Sequence, residues 1–165
     1  MSVSMRFLGN IEAKLDAKGR VFLPAAFRKM LQGAGEQGMV MRKDVFQACL
    51  VLYPESVWGE QMDSLRRRLS RWDRDEQQLF RQFVSEVEPV ALDASGRFLI
   101  PRRCLRQAGI GQDVRFIGMG DTIEIWSSES LQAPFMDSTE FGAALETLMH
   151  GGPISTDENN TTDNR

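Results

Sequence analysis

Apolar and polar positions alternate early in the chain. Ile11, Ala13 and Leu15 are separated by Glu12 and Lys14, the two-residue period of a strand with one wet face. After a polar break at 16–19, Arg20 opens a second short strand, Val21-Phe22-Leu23. Pro24 suits the first turn of a helix, where its missing N–H costs nothing. Phe27, Met30 and Leu31 then recur at i, i+3 and i+4, which predicts an amphipathic helix that Gly33 stops. Two further strands follow, Met39-Val40-Met41 and Cys49-Leu50-Val51-Leu52-Tyr53. Trp58, Met62, Leu65, Leu69 and Trp72 step by four, three, four and three, one helical stripe. Leu79, Phe80, Phe83, Val84 and Val87 predict a second helix after a turn at Asp73.

The same order of elements then returns. Leu15-Asp16-Ala17-Lys18-Gly19-Arg20-Val21-Phe22-Leu23-Pro24 recurs as Leu92-Asp93-Ala94-Ser95-Gly96-Arg97-Phe98-Leu99-Ile100-Pro101, 77 residues later. Six of the ten aligned positions are identical and the three residues between Arg and Pro are apolar in both, so the chain carries an internal duplication. In the second copy Pro101 starts a helix through Cys104, Leu105 and Ala108, and Gly109 stops it. Val114-Arg115-Phe116-Ile117 and Thr122-Ile123-Glu124-Ile125-Trp126 complete it, so each repeat reads β-β-α-β-β. Leu131, Phe135, Phe141, Leu145 and Leu148 predict a last helical segment, interrupted near Pro134. The residues from Gly151 to Arg165 are polar, carry no apolar pattern, and are expected to be disordered.

Composition narrows the function classes. The chain's 165 residues suffice for one or two small domains, and no apolar run approaches the ~20 residues of a membrane helix. The N-terminal residues lack the apolar stretch of a signal peptide. Cys49 and Cys104 lie far apart in apolar contexts and read as reduced core residues of a cytoplasmic protein. With one histidine, His150, near the tail, neither a metal site nor a Ser–His or Cys–His catalytic pair is expected, and no cofactor is implied. The net charge of −3 hides a gradient: residues 1–54 sum to +4, 55–88 to −2, 89–126 to +1 and 127–165 to −6. Such a layout places a basic face on DNA while keeping the protein soluble; an uneven draw by chance gives the same tally.

The two turns can be read residue by residue. Asp16 and Asp93 are placed to bond backbone amides two residues on, closing Asx-type turns. Gly19 and Gly96 supply the positive φ those turns need. Lys14, Lys18 and Arg20 are spaced along one hairpin, where Lys contacts go mostly to phosphates and an arginine fork reads guanine O6 and N7. The plainer reading is that Asp16 and Arg20 bridge each other beside a tight turn; both can hold together. Gly33-Ala34-Gly35-Glu36-Gln37-Gly38 fits G-x-G-x-x-G, but it follows a helix and precedes a strand, the reverse of a dinucleotide site. Asn159-Asn160-Thr161 fits a glycosylation sequon that is without meaning in a cytoplasmic chain. Arg66, Arg67, Arg68, Arg71 and Arg74 are interleaved with Asp63, Asp73, Asp75 and Glu76 and read as a solvated face with i,i+4 pairs, or else as a subunit interface.

The pair of D-A-K-G-R and D-A-S-G-R turns resembles the DxxxR signature of the MraZ family, with tandem SpoVT/AbrB-like repeats. Phe7-Leu8-Gly9, Leu52-Tyr53-Pro54 with Trp58, and Gly118-Met119-Gly120-Asp121 before Ile123-Glu124-Ile125-Trp126 support it, and the resemblance spans about residues 5–149. It implies an α+β fold: a mainly β AbrB-like barrel of two repeats packed as a pseudo-dimer, with flanking helices. The repeats would be 5–54 and 89–126, with linking helices at 55–88, a C-terminal helix at 127–150 and a polar tail at 151–165. The family implies ring-shaped homo-oligomers bound to short tandem repeats of double-stranded DNA upstream of the division and cell-wall gene cluster, with repression and nucleoid association. The DxxxR arginine is its DNA-contacting residue, which carries by position to Arg20 and Arg97. Arg20 is favoured, because Ser95 replaces Lys18 in a second repeat that is nearly neutral. The alternative is an AbrB-like antitoxin or a structural oligomer; the tandem copy in one chain favours the regulator.

Overall fold

A computed structural model describes residues 5–130 and 134–151, in two compact units divided after Ser130. The first unit holds β1 (Asn10–Lys14), β2 (Arg20–Phe22), α1 (Ala25–Gly33), β3 (Met39–Lys43), β4 (Leu50–Pro54), α2 (Glu55–Arg68) and α3 (Arg74–Ser85). It continues with β5 (Glu88–Val90), β6 (Arg97–Leu99), α4 (Arg102–Ala108), β7 (Asp113–Gly118) and β8 (Ile123–Ser127), and a 3₁₀ turn at Ser128–Ser130. The β-β-α-β-β order expected of each repeat is therefore present twice. The fold is α+β with a mainly antiparallel sheet.

The strands pair across the repeats. Six form one sheet in the order β1-β7-β8-β4-β3-β5, and β2 pairs with β6 as a separate two-stranded ribbon. Exchanging each strand for its counterpart in the other repeat reverses that order onto itself, the signature of a two-fold pseudo-dimer. The first strand of each repeat pairs with the third strand of the other, Ile11 opposite Phe116 and Val40 opposite Pro89. In the ribbon Val21 faces Phe98, its own counterpart, so the two-fold axis passes between them.

Both repeats fill one core. Phe7, Leu23, Phe27, Met41, Leu50 and Leu52 interlock with Phe98, Ile100, Phe116, Ile123 and Ile125, all essentially buried. Phe7 meets Phe27 edge-on at 5.5 Å between ring centroids, and Phe98 meets Phe116 at 6.3 Å. Each such side chain contributes about 1.5–3 kcal/mol by leaving water. As expected, Phe27 and Leu31 are the buried face of α1; Met30 packs at its margin. Gly109 takes the left-handed conformation that ends α4. Cys49 and Cys104 are unpaired and buried, and burial, the leading cause, pushes both thiols above their ordinary value.

The linking helices sit over a second apolar cluster of Cys49, Val51, Tyr53, Val57, Ile117 and Trp126. Trp58 stacks on Phe83 at 5.0 Å and meets Tyr53 at 5.2 Å, tying α2 and α3 to β4. Arg42 of β3 is buried beneath them. Its guanidinium donates to the Phe83 carbonyl at 2.7 Å and lies 4.7 Å from the Phe83 ring.

The expected stripe from Trp58 to Trp72 is too long. Helix α2 ends at Arg68, Leu69 is extended, and Trp72 is 96% exposed. The interruption is local chemistry: Asp73 caps α3, accepting from the N–H groups of Asp75 and Glu76 at 2.9 and 3.1 Å. Glu76 reaches back to the Ser70 N–H at 3.3 Å. The i,i+4 pairs expected of the arginine cluster are absent among the described residues. Arg66 instead packs over the Phe80 ring at 4.6 Å.

The second unit contributes α5 (Ser138–Gly151), on which Phe141, Leu145 and Leu148 are exposed. Leu131 of the last expected apolar pattern, and residues 152–165 of the expected tail, lie outside the described residues.

Candidate nucleic-acid interface

The two D-x-x-G-R segments form near-identical turns. Asp16 Oδ1 accepts from the backbone N–H groups of Lys18 and Arg20, both at 2.9 Å, and Oδ2 accepts from Arg20 Nε at 2.8 Å. In the second copy Asp93 Oδ1 accepts from Ser95 and Arg97 N–H at 2.9 Å, and Oδ2 from Arg97 Nε at 3.0 Å. Gly19 and Gly96 both have φ of +87°, as the turn chemistry requires. The Arg20 N–H, the largest cause, holds the Asp16 carboxyl below its ordinary value; the Arg97 N–H does the same for Asp93.

The plainer reading of Asp16 and Arg20 as a bridge is thus realised, but it uses only Nε. Among the described residues neither terminal nitrogen of Arg20 or Arg97 makes a hydrogen bond. Each carboxylate accepts three hydrogen bonds from its own turn, while the terminal nitrogens of each guanidinium stay without one among the described residues, with side chains about one-third exposed.

The turns are locked to each other. Leu23 N–H donates to Gly96 O at 3.0 Å, and Ile100 N–H donates to Gly19 O at 2.9 Å. A Cβ on Gly19 would come 3.0 Å from the Ile100 carbonyl oxygen. The motif glycines therefore hold the second strand of the opposite repeat as well as their own turn. Arg20, Gly19, Arg97 and Gly96 are brought together on one ribbon by this exchange.

Lys18 is exposed at the tip of the first turn, with no carboxylate partner among the described residues. Lys14 does not share the expected hairpin with Lys18 and Arg20, because β1 pairs with β7 and β2 with β6; it is exposed and pairs loosely with Asp113 at 3.8 Å. Two cations were not foreseen. Arg102, at the start of α4, lines a groove of about 500 Å³ with Lys18 and Gly19 of the first turn. Arg28 of α1 lies against Gly96 and donates to the Ser95 carbonyl at 3.4 Å. Each belongs to the repeat opposite the turn it serves, which no local pattern reveals. A second groove, lined by Arg28 with Glu36 and Glu55, reaches Leu92 but none of residues 93–97, whereas the first groove holds no acid but Asp16 among the described residues.

Two copies of one turn on one ribbon agree with what comparison of the chain with known proteins finds. A family model described as "MraZ protein, putative antitoxin-like" matches twice, over residues 6–82 and 83–144. The chain belongs to the MraZ family. It is 61% identical over 145 residues to a protein of Phocaeicola vulgatus named "Transcriptional regulator MraZ", covering 88% of this chain and 94% of that one. A protein of the same name from Bacteroides fragilis is 56% identical over 160 residues, 97% of this chain and 98% of the relative. One from Christiangramia forsetii is 32% identical over 146 residues, with 88% and 94% covered. In this MraZ family member, no helix among the described residues is long and apolar enough to cross a membrane.

Proposed function

We propose that the chain is a sequence-specific, double-stranded-DNA-binding transcriptional regulator, acting as a repressor. It would bind short tandem repeats upstream of the division and cell-wall gene cluster. The observation that carries this reading is the pair of unoccupied guanidinium edges on Arg20 and Arg97, each held through Nε by the aspartate of its own turn on one ribbon. The names borne by its relatives point the same way. Arg20 is the main reader of base edges and Arg97 the lesser one. Lys18 and Lys14 hold phosphates, and Asp16, Gly19, Asp93 and Gly96 keep the turns in shape.

The six-stranded sheet and the ribbon would form the wall of an AbrB-like barrel spanning repeats 5–54 and 89–126. The reciprocal Leu23–Gly96 and Ile100–Gly19 bonds support that reading. A single module binds weakly; a ring of copies on tandem sites gains by effective concentration, which favours nucleoid association in the cytoplasm. The test is a gel shift on DNA from upstream of the chain's own gene across a salt series. A shift that weakens steeply with salt is expected. The word "antitoxin-like" in the family description favours a second reading, a partner-neutralising protein. Absence of any salt-sensitive shift would leave that one standing.

A further inference from the structure

The outward face of the β2–β6 ribbon is more than two arginines. In each three-residue strand the central side chain, Val21 or Phe98, is buried, so the flanking ones share the opposite face. The register sets Arg20 opposite Leu99 and Phe22 opposite Arg97. Phe22 and Leu99 occupy the same position of the repeat and are 56% and 55% exposed. Arg97 leans over the Phe22 ring at 5.8 Å. A solvated face of so short a ribbon is expected to be polar, yet both repeats place a large apolar side chain there.

We propose that Phe22 and Leu99 read thymine methyl groups in the major groove of DNA, between the base-edge contacts of Arg20 and Arg97. This rests on the DNA-binding reading above. A two-stranded ribbon fits the ~12 Å major groove, and the thymine C5-methyl is the one apolar group displayed there. Each face arginine is paired with the aspartate of its own turn, so the positive excess beside the ribbon comes from Lys18, Arg28 and Arg102. That charge suits a polyanion.

The experiment compares two duplexes from the upstream region, one with thymine and one with deoxyuridine throughout, by fluorescence anisotropy with the full chain. Deoxyuridine keeps the pairing and the O4 acceptor and lacks only the methyl group. Wild-type affinity is expected to fall on the deoxyuridine duplex by about fourfold for each methyl group that the protein covers. The Phe22→Ser/Leu99→Ser double variant should bind the thymine duplex more weakly and give equal affinity for both duplexes, with unchanged oligomer size. Phe22→Leu should restore discrimination.

Equal wild-type affinity for the two duplexes, with salt-sensitive binding intact, overturns the methyl reading and leaves DNA binding in place. A folded double variant that still discriminates, or a folded one whose assembly falls apart, overturns it too. Failure of the wild type to bind either duplex sinks the functional reading beneath it. The wild-type comparison decides even if the double variant does not fold.

Discussion

Arg20 anchors itself through Nε, and its two outer nitrogens make no hydrogen bond among the described residues; Arg97 repeats the arrangement. Arg20→Ala is therefore expected to abolish specific DNA binding, at about 1–3 kcal/mol for each bidentate base pairing it removes, with oligomer size unchanged. Arg97→Ala should cost less, because Ser95 stands in its turn where the first copy has Lys18; equal effects in a gel shift would show that both turns contribute alike. A second expectation concerns acid. The carboxyls of Asp16 and Asp93 are held below their ordinary value of 3.8, so each contributes stability above that value and loses it as pH falls through the lowered one. Thermal melts of the wild type should show part of its acid sensitivity below about pH 4. An Asp16→Asn/Asp93→Asn variant should be weaker near neutrality and flatter in that window; a parallel pH curve would refute the role. The turn was legible in the sequence because its chemistry spans five residues. Arg28 and Arg102 were not, because each reaches the site from the other repeat.

At the level of elements, hydrophobic period located the strands and helices of the two repeats to within a few residues, except β5 (Glu88–Val90), which only the repeat implied and beside which Val87 is read into the preceding helix. It failed between α2 and α3, where a stripe that looks continuous is cut by the Asp73 cap and leaves Trp72 in water. Periodicity reports which face is apolar; it says nothing of a capping carboxylate that ends the helix first. Nor did it reveal Arg42, a charged residue buried at the seam between β3 and α3. Its bond to the Phe83 carbonyl and its place over that ring predict that Arg42→Ala destabilises the protein by about 1.5–3 kcal/mol. The measurement is a denaturant melt. Loosening of the α2–α3 layer should accompany it as raised hydrogen exchange in residues 55–85, while the ribbon stays protected.

For the whole molecule, the duplication announced two-fold symmetry but not the exchange of strands that builds it, since alternation in β1 is the same whichever strand lies beside it. Charge distribution is the other molecular property. Asp157, Glu158 and Asp163 against the single Arg165 make residues 152–165 acidic, opposite in sign to the first repeat. Their removal is expected to preserve or tighten DNA binding in a gel shift at low salt; a collapse of binding would assign them a positive role. The strand exchange also bears on how the protein is made. Lys14 pairs with Asp113, so at ~5–20 residues per second a ribosome needs roughly 5–20 s after completing β1 before its partner exists. Throughout that interval the nascent first repeat has an open strand edge and a half-built apolar interior. Its risk of pairing with a neighbouring nascent copy is greatest there, and a chaperone that holds this half until β7 emerges would keep that edge for its own chain.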